Sequence, residues 1–233
     1  MKTAIFIDGS YFIRRLNYLY KNKKDFNLKD SKQIVSELSK ICYRHLNIQN
    51  KQGEIVEKHD LYRIFFYDCP PLTKKVHLPI SQKAYDFAKT ADAILREQIF
   101  ENLRKNRKTA LRLGRLQDFG SWKLKPDVLK EILSKAKDFS QLTDEDFTYE
   151  IRQKSVDMKI GIDIASVAYK KQVERIILIA GDADFVPAAK LARREGIDFI
   201  LDPMWNNISP DLFEHIDGLS STCFRTKDSS SKE

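Results

Sequence analysis

Five aspartates, Asp8, Asp157, Asp163, Asp182 and Asp184, carry the chemistry that this sequence could perform. Asp8 closes the apolar run Lys2-Thr3-Ala4-Ile5-Phe6-Ile7. Asp182 follows Ile176-Ile177-Leu178-Ile179-Ala180-Gly181, so both acids fall where a buried strand stops. In open α/β sheets that end of the strands is where ligands sit. Asp157 and Asp163 share one helical run, Val156 to Tyr169. Six residues turn a helix through about 600°, which points the two side chains roughly 120° apart. Asp157, in a first turn, also suits the helix dipole as a simple capping acid. Asp163 stands among Ile160, Ile162, Ile164 and Val167, where an unpaired carboxylate is costly. Lys159 and Lys170 are available as partners, but one bound cation would satisfy several acids together. Converging carboxylates form a hard-oxygen set suited to Mg²⁺ or Mn²⁺ rather than zinc. An ion of this kind can activate water for in-line attack on a phosphodiester.

The elements that must position these acids follow from periodicity. Lys2 to Ile7, Leu61 to Tyr67, Ile176 to Ile179 and Phe199 to Leu201 read as strands. Tyr11 to Tyr20 reads as a helix, and Asp30-Ser31 starts another in which Ile34, Val35, Leu38, Ile41 and Cys42 keep a 3-4 spacing. Asp68 ends the Leu61 strand, and Pro70-Pro71 behind it favour a turn role. The pattern predicts a helix over Ser81 to Asn106, a small hairpin over Thr109 to Leu124, a helix over Pro126 to Ala136 and a strand over Phe147 to Ile151. Val156 to Tyr169 is apolar nearly all round and predicts a buried helix. Asp184 either joins the acids or caps the helix entered at Phe185-Val186-Pro187 and stopped by Gly196. The alternation implies an α/β fold, a three-layer Rossmann-like sandwich around a mostly parallel sheet. Residues 1–225 read as one domain with a helical, basic insertion at about 74–137 and a polar, disordered tail from Thr226.

Charge points to a partner. The chain carries a formal net charge of +8, with 42% apolar and 32% charged residues. Between Lys74 and Arg115 there are eleven Lys or Arg against four Asp or Glu, which suits a polyanion, although a solvated helical face has the same composition. No apolar run approaches the ~20 residues of a membrane span. The three cysteines are widely spaced and lack zinc-ligand spacing, so a cytoplasmic protein with reduced thiols is expected. No Walker loop or Gly-x-Gly-x-x-Gly motif is present, and the four histidines are scattered.

Ile5-Phe6-Ile7-Asp8-Gly9-Ser10, Gln153-Lys154-Ser155-Val156-Asp157 with Asp163 beyond it, and Gly181-Asp182-Ala183-Asp184-Phe185-Val186-Pro187 together resemble the NYN domain, most of all its bacterial LabA-like branch. Phe66-Tyr67-Asp68-Cys69-Pro70-Pro71 and Leu113-Gly114-Arg115-Leu116 extend the resemblance to about residues 3–217. It implies a PIN-like fold and a nuclease that cuts RNA with Mg²⁺ or Mn²⁺. It also implies metal ligation by Asp8, Asp163 and Asp182, with Asp157 and Asp184 as further acids of the pocket. Ser10, Tyr11, Arg104, Lys105, Arg107, Lys108 and Arg115 are the expected substrate contacts. Tyr11 stands where many members carry asparagine, and Ser155 replaces a usual glycine.

The resulting expectation is a metal-dependent RNA endonuclease whose partner is RNA, with no membrane association and self-association left open. A catalytically silent RNA-binding module of the same fold is the rival from another class. A haloacid-dehalogenase-type phosphatase fits less well, because Ser10 occupies the position where that chemistry needs a second Asp.

Overall fold

The computed structural model describes residues 1–224; the tail expected from Thr226 lies outside them. β1 (Lys2–Asp8) is apolar on both faces and buried along nearly its whole length, as a central strand must be. Asp8 ends it and caps α1 (Gly9–Tyr20), and Asp30 caps α2 (Ser31–Leu46). The hairpin of β2 (Asn47–Gln49) and β3 (Ile55–Lys58) leads into β4 (Asp60–Asp68). A second small hairpin, β5 (Lys75–His77) with β6 (Ala84–Asp86), precedes α3 (Ala91–Lys105). β7 (Thr109–Leu113), β8 (Arg115–Leu124), α4 (Pro126–Leu133) and β9 (Phe147–Lys154) follow. Then come α5 (Val156–Tyr169), β10 (Arg175–Ile179), α6 (Val186–Arg194), β11 (Asp198–Asp202), the short α7 (Pro210–Glu214) and β12 (Gly218–Leu219).

Six strands make one parallel sheet in the order β12-β11-β10-β1-β4-β7. Alternate side chains face opposite layers. Ile176 and Leu178 of β10 join Phe6 of β1 and the apolar sides of α5 and α6. Ile177 and Ile179 join Ile5, Ile7 and the apolar sides of α1, α2 and α3. Helices therefore cover both faces of the sheet, and the molecule is the three-layer α/β sandwich that the alternation implies. No helix among the described residues is long and apolar enough to cross a membrane.

Three local expectations are corrected. The helix predicted from Ser81 begins only at Ala91, where Thr90 caps it; the residues before it form β6 and a short 3-10 turn capped by Asp86. Thr109 to Leu124 is not a hairpin. β7 joins the main sheet parallel to β4, whereas β8 leaves it and pairs antiparallel with β9. The same apolar–basic alternation suits an edge strand and a free ribbon, so local pattern alone does not separate them. Gly114 marks the departure: a Cβ there would lie 2.7 Å from the Lys154 carbonyl oxygen and 2.9 Å from Val156 Cγ2. Finally, α5 is buried on one side only, since Met158 is 69% and Ile162 59% exposed. Within residues 74–137, α3 and β7 belong to the sandwich, while β5, β6 and β8 lie outside the main sheet.

Candidate active site

From β1 the chain moves outward through β4 to β7, and from β10 it moves the other way through β11 to β12. β1 and β10 thus flank the point where strand order reverses, and α1 and α6, which leave their carboxyl ends, pack on opposite faces. A crevice at the strand ends is the geometric consequence. Asp8 and Asp182 flank it. Asp8 accepts from the Tyr11 amide at 3.0 Å, and Asp182 accepts from the Asp184 amide at 3.1 Å, capping the 3-10 turn Ala183–Phe185. It is therefore Asp182, not Asp184, that caps this turn. Asp157 enters from the first turn of α5, after Ser155 turns the chain out of β9 with φ of 71°, a left-handed conformation that favours glycine.

These acids feel one another. Burial pushes the Asp8 carboxyl up to about 6; the Tyr11 amide lowers it, the charges of Asp157 and Asp68 raise it, and Arg14 lowers it least. Asp157 is also raised, first by desolvation although its side chain reaches solvent, then by Asp182 and Asp184. Asp68, buried at the end of β4, is raised by burial against the opposing effect of Arg96, which is paired with it. Asp68 also accepts from Ser10 Oγ at 3.1 Å and the Cys69 amide at 2.8 Å. Ser10 Oγ in turn accepts from Gln153 Nε2 at 2.8 Å. Asp68 is thus part of the pocket wall rather than a turn residue alone. Arg14, Arg96 and Gln153 are pocket residues that sequence reasoning missed. Arg14 lies six residues after Asp8 in a helix that the acid caps, and Gln153 opens the Gln153-Lys154-Ser155-Val156-Asp157 stretch, whereas Arg96 has no local signal.

Other expected site residues are engaged by protein partners or lie at the far end of the sheet. Asp163 accepts from Tyr67 Oη at 2.8 Å and is paired with Arg112 Nε at 3.2 Å, so its charge is already balanced. Its partner Tyr67 has its hydroxyl pKa raised, first by burial and then by that hydrogen bond. Tyr11 is 7% exposed and donates to the Pro203 carbonyl at 2.6 Å, so its hydroxyl is engaged within the protein. Arg104, Lys105, Arg107 and Lys108 end α3 and precede β7, at the opposite end of the sheet from the acids; Lys108 Nζ donates to the Leu61 carbonyl there. The four strand steps from Thr109 to Leu113, beside Ile64 to Asp68, separate the two ends by about 13 Å. Arg115, immediately beyond Gly114, does lie at the acid end, where the Gly114 amide donates to the Asp68 carbonyl at 2.7 Å.

Among the described residues, the group of three or more possible metal ligands whose donor atoms lie within 4.8 Å of one another is Asp211, Glu214 and His215, on the surface. Neither the expected set of Asp8, Asp163 and Asp182 nor Asp8, Asp157 and Asp182 meets that closely. Asp8, Asp157 and Asp182 are electrostatic neighbours rather than touching groups. Their chemistry nevertheless fits a hard divalent cation: the donors are carboxylate oxygens, and Asp8 is destabilised in its charged form by burial and by two other acids.

No curated protein matches the sequence. A crystal structure of a protein of unknown function from Vibrio parahaemolyticus is similar at 13% identity, with 94% of this chain and 91% of that chain covered and a TM-score of 0.44. The family model of the NYN domain matches residues 2–212, most of the described chain, and includes Asp8, Asp157, Asp163, Asp182 and Asp184. The protein belongs to the NYN domain family.

Proposed function

We propose that this protein is a PIN-like, metal-dependent ribonuclease acting at the crevice between β1 and β10. The observation that carries the reading is the convergence of Asp8 and Asp182 from adjacent strand ends with Asp157 from α5. Mg²⁺ or Mn²⁺ would be held by these three, with Asp184 beside them. A bound ion of this type supplies charge neutralisation at a phosphate oxygen and a more acidic water. The protein's own groups do the rest. Asp8, whose charge is opposed by burial and by Asp157 and Asp68 in the metal-free chain, gains from a neighbouring cation. Ser10, fixed between Asp68 and Gln153, presents a hydroxyl at the pocket wall, and Arg14 and Arg115 offer cations to the phosphates. Asp163 takes no part in ligation in this account, because Arg112 and Tyr67 occupy it.

The test is incubation of purified protein with single-stranded and structured RNA, with Mn²⁺, Mg²⁺ or chelator, beside Asp182→Asn. Metal-dependent cleavage by the wild type and its loss in a folded variant are expected. Salt-sensitive RNA binding without cleavage under any divalent ion would replace this reading with that of a silent RNA-binding module.

A further inference from the structure

We propose that the outer face of the β8–β9 ribbon is a track for an unpaired stretch of RNA, leading its backbone to the acid pocket. The inference rests on the reading of the pocket as an RNA site, and extends it to the form of RNA that is taken. The base of the ribbon is fixed to the pocket. Gln153 of β9 donates to Ser10, Cys69 Sγ donates to the Arg115 carbonyl at 3.4 Å, and β9 runs through Lys154 and Ser155 directly into the α5 turn that bears Asp157.

The ribbon's register decides which side chains face outward. Arg115 is opposite Lys154, Leu116 opposite Gln153, and Gln117 opposite Arg152. Residues directly opposite share a face, and successive residues alternate. Leu116 packs on the core and Gln153 reaches Ser10, so that pair faces the body. Arg115, Lys154, Gln117 and Arg152 are exposed on the other side, and Arg115, Gln117 and Lys154 border a shallow hollow. None of the three cations makes an ion pair among the described residues. Glu150, on the same face, is paired with Lys123, whose hydrogen bond lowers its carboxyl most, and lies near enough to Arg152 to be lowered by it as well. Farther along lies Phe119, 41% exposed, with the Arg152 guanidinium 5.8 Å from its ring centre. The other ribbon aromatics behave differently: Trp122 and Tyr149 pack against each other and against Phe87.

Cations free of ion pairs in a row match successive phosphates, and an exposed aromatic ring beside an arginine is a stacking platform. An unpaired base can use that platform. In a duplex the bases are already stacked on one another and would offer the ribbon only phosphates. Charge and aromatic exposure together therefore favour single-stranded RNA over duplex.

The experiment is fluorescence anisotropy of the full chain with a labelled 12-nucleotide single strand and with the blunt duplex of the same sequence, in chelator and over a salt series. Single-strand binding at least fivefold tighter than duplex binding is expected. Phe119→Ala should weaken the single strand by about 5- to 150-fold, the range of a lost base stack, and leave the duplex unchanged. The triple change Arg115→Gln, Arg152→Gln, Lys154→Gln should flatten the single-strand salt slope by about two. Both variants are checked for wild-type melting. Equal affinity for the two RNAs, or variants that bind the single strand as the wild type does, would overturn the proposal. The two readings fail separately. Ribbon-dependent binding without Mn²⁺-dependent cutting removes the nuclease and keeps the track, whereas cutting that ignores the ribbon does the reverse.

Discussion

The Tyr11 ring fills the space where a side chain on Gly181 would begin, with its Cε2 2.5 Å from the position of a Cβ. The residue three beyond Asp8 thus packs on the residue just before Asp182, so the two halves of the switch point are held in register by one aromatic ring. Gly181→Ala should force the ring aside and lower stability by about 1–3 kcal/mol. Tyr11→Phe keeps the ring and loses the hydroxyl's hydrogen bonds, to the Pro203 carbonyl and to Asn206, at a cost of about 1–2 kcal/mol. Urea unfolding of the two variants measures this, and a neutral Gly181→Ala would contradict the contact.

Asp8 gives a pH dependence whose sign is fixed. Its folded-state value is raised from 3.8 to about 6, so the folded chain binds this proton more readily than the unfolded chain. The stability so gained is fully present below 3.8 and is lost as pH rises through about 6. The loss is on the order of 3 kcal/mol. Asp8→Asn mimics the protonated form and can still accept from the Tyr11 amide. Without divalent ions the variant should become progressively more stable than the wild type between about pH 4 and pH 7. A stability difference that stays flat across that range, followed by thermal melts, would count against the burial of an uncompensated charge.

Asp163 should behave as a structural acid. Asp163→Asn retains an acceptor for Tyr67 but loses the ion pair with Arg112, whose side chain is half exposed, so the cost should be about 0.5–1 kcal/mol. Mn²⁺ affinity and RNA cleavage should stay near wild type. A tenfold or greater loss of Mn²⁺ affinity would return Asp163 to the ligand set.

The basic cluster at the far end of the sheet gives a complementary result. Neutralising Arg104, Lys105, Arg107 and Lys108 together to glutamine should leave the KM for a short RNA within about twofold, because the ~13 Å between sheet ends exceeds a Debye length of about 8 Å. Arg115→Gln should raise that KM several-fold. Reversal of the two outcomes in steady-state kinetics would move the substrate path to the other end.

The strands and the strand-end acids were legible because each is a local pattern: an apolar run of a few residues and the carboxylate at its stop. What escaped the sequence was pairing at a distance. Asp163 looked unpaired in its helix because its partners, Tyr67 and Arg112, come from β4 and β7, and no local signal brings those strands under α5. A charge count along the chain grouped Arg104 to Lys108 with Arg115, although β7 carries them to opposite ends of the sheet. The ribbon was misread as a hairpin for the same reason, since β8 finds its partner beyond α4 rather than in the adjacent strand. Ser155 is the converse case: a residue in place of the family's usual glycine was visible at once, and its left-handed backbone shows why glycine suits the position.

The central claim is that Asp8, Asp157 and Asp182 act together on one cation. Isothermal titration of the metal-free protein with Mn²⁺ tests it most directly. The account predicts one ion per chain in the wild type and loss of that binding in Asp182→Asn with its fold intact. Undiminished stoichiometric binding by the variant would contradict it.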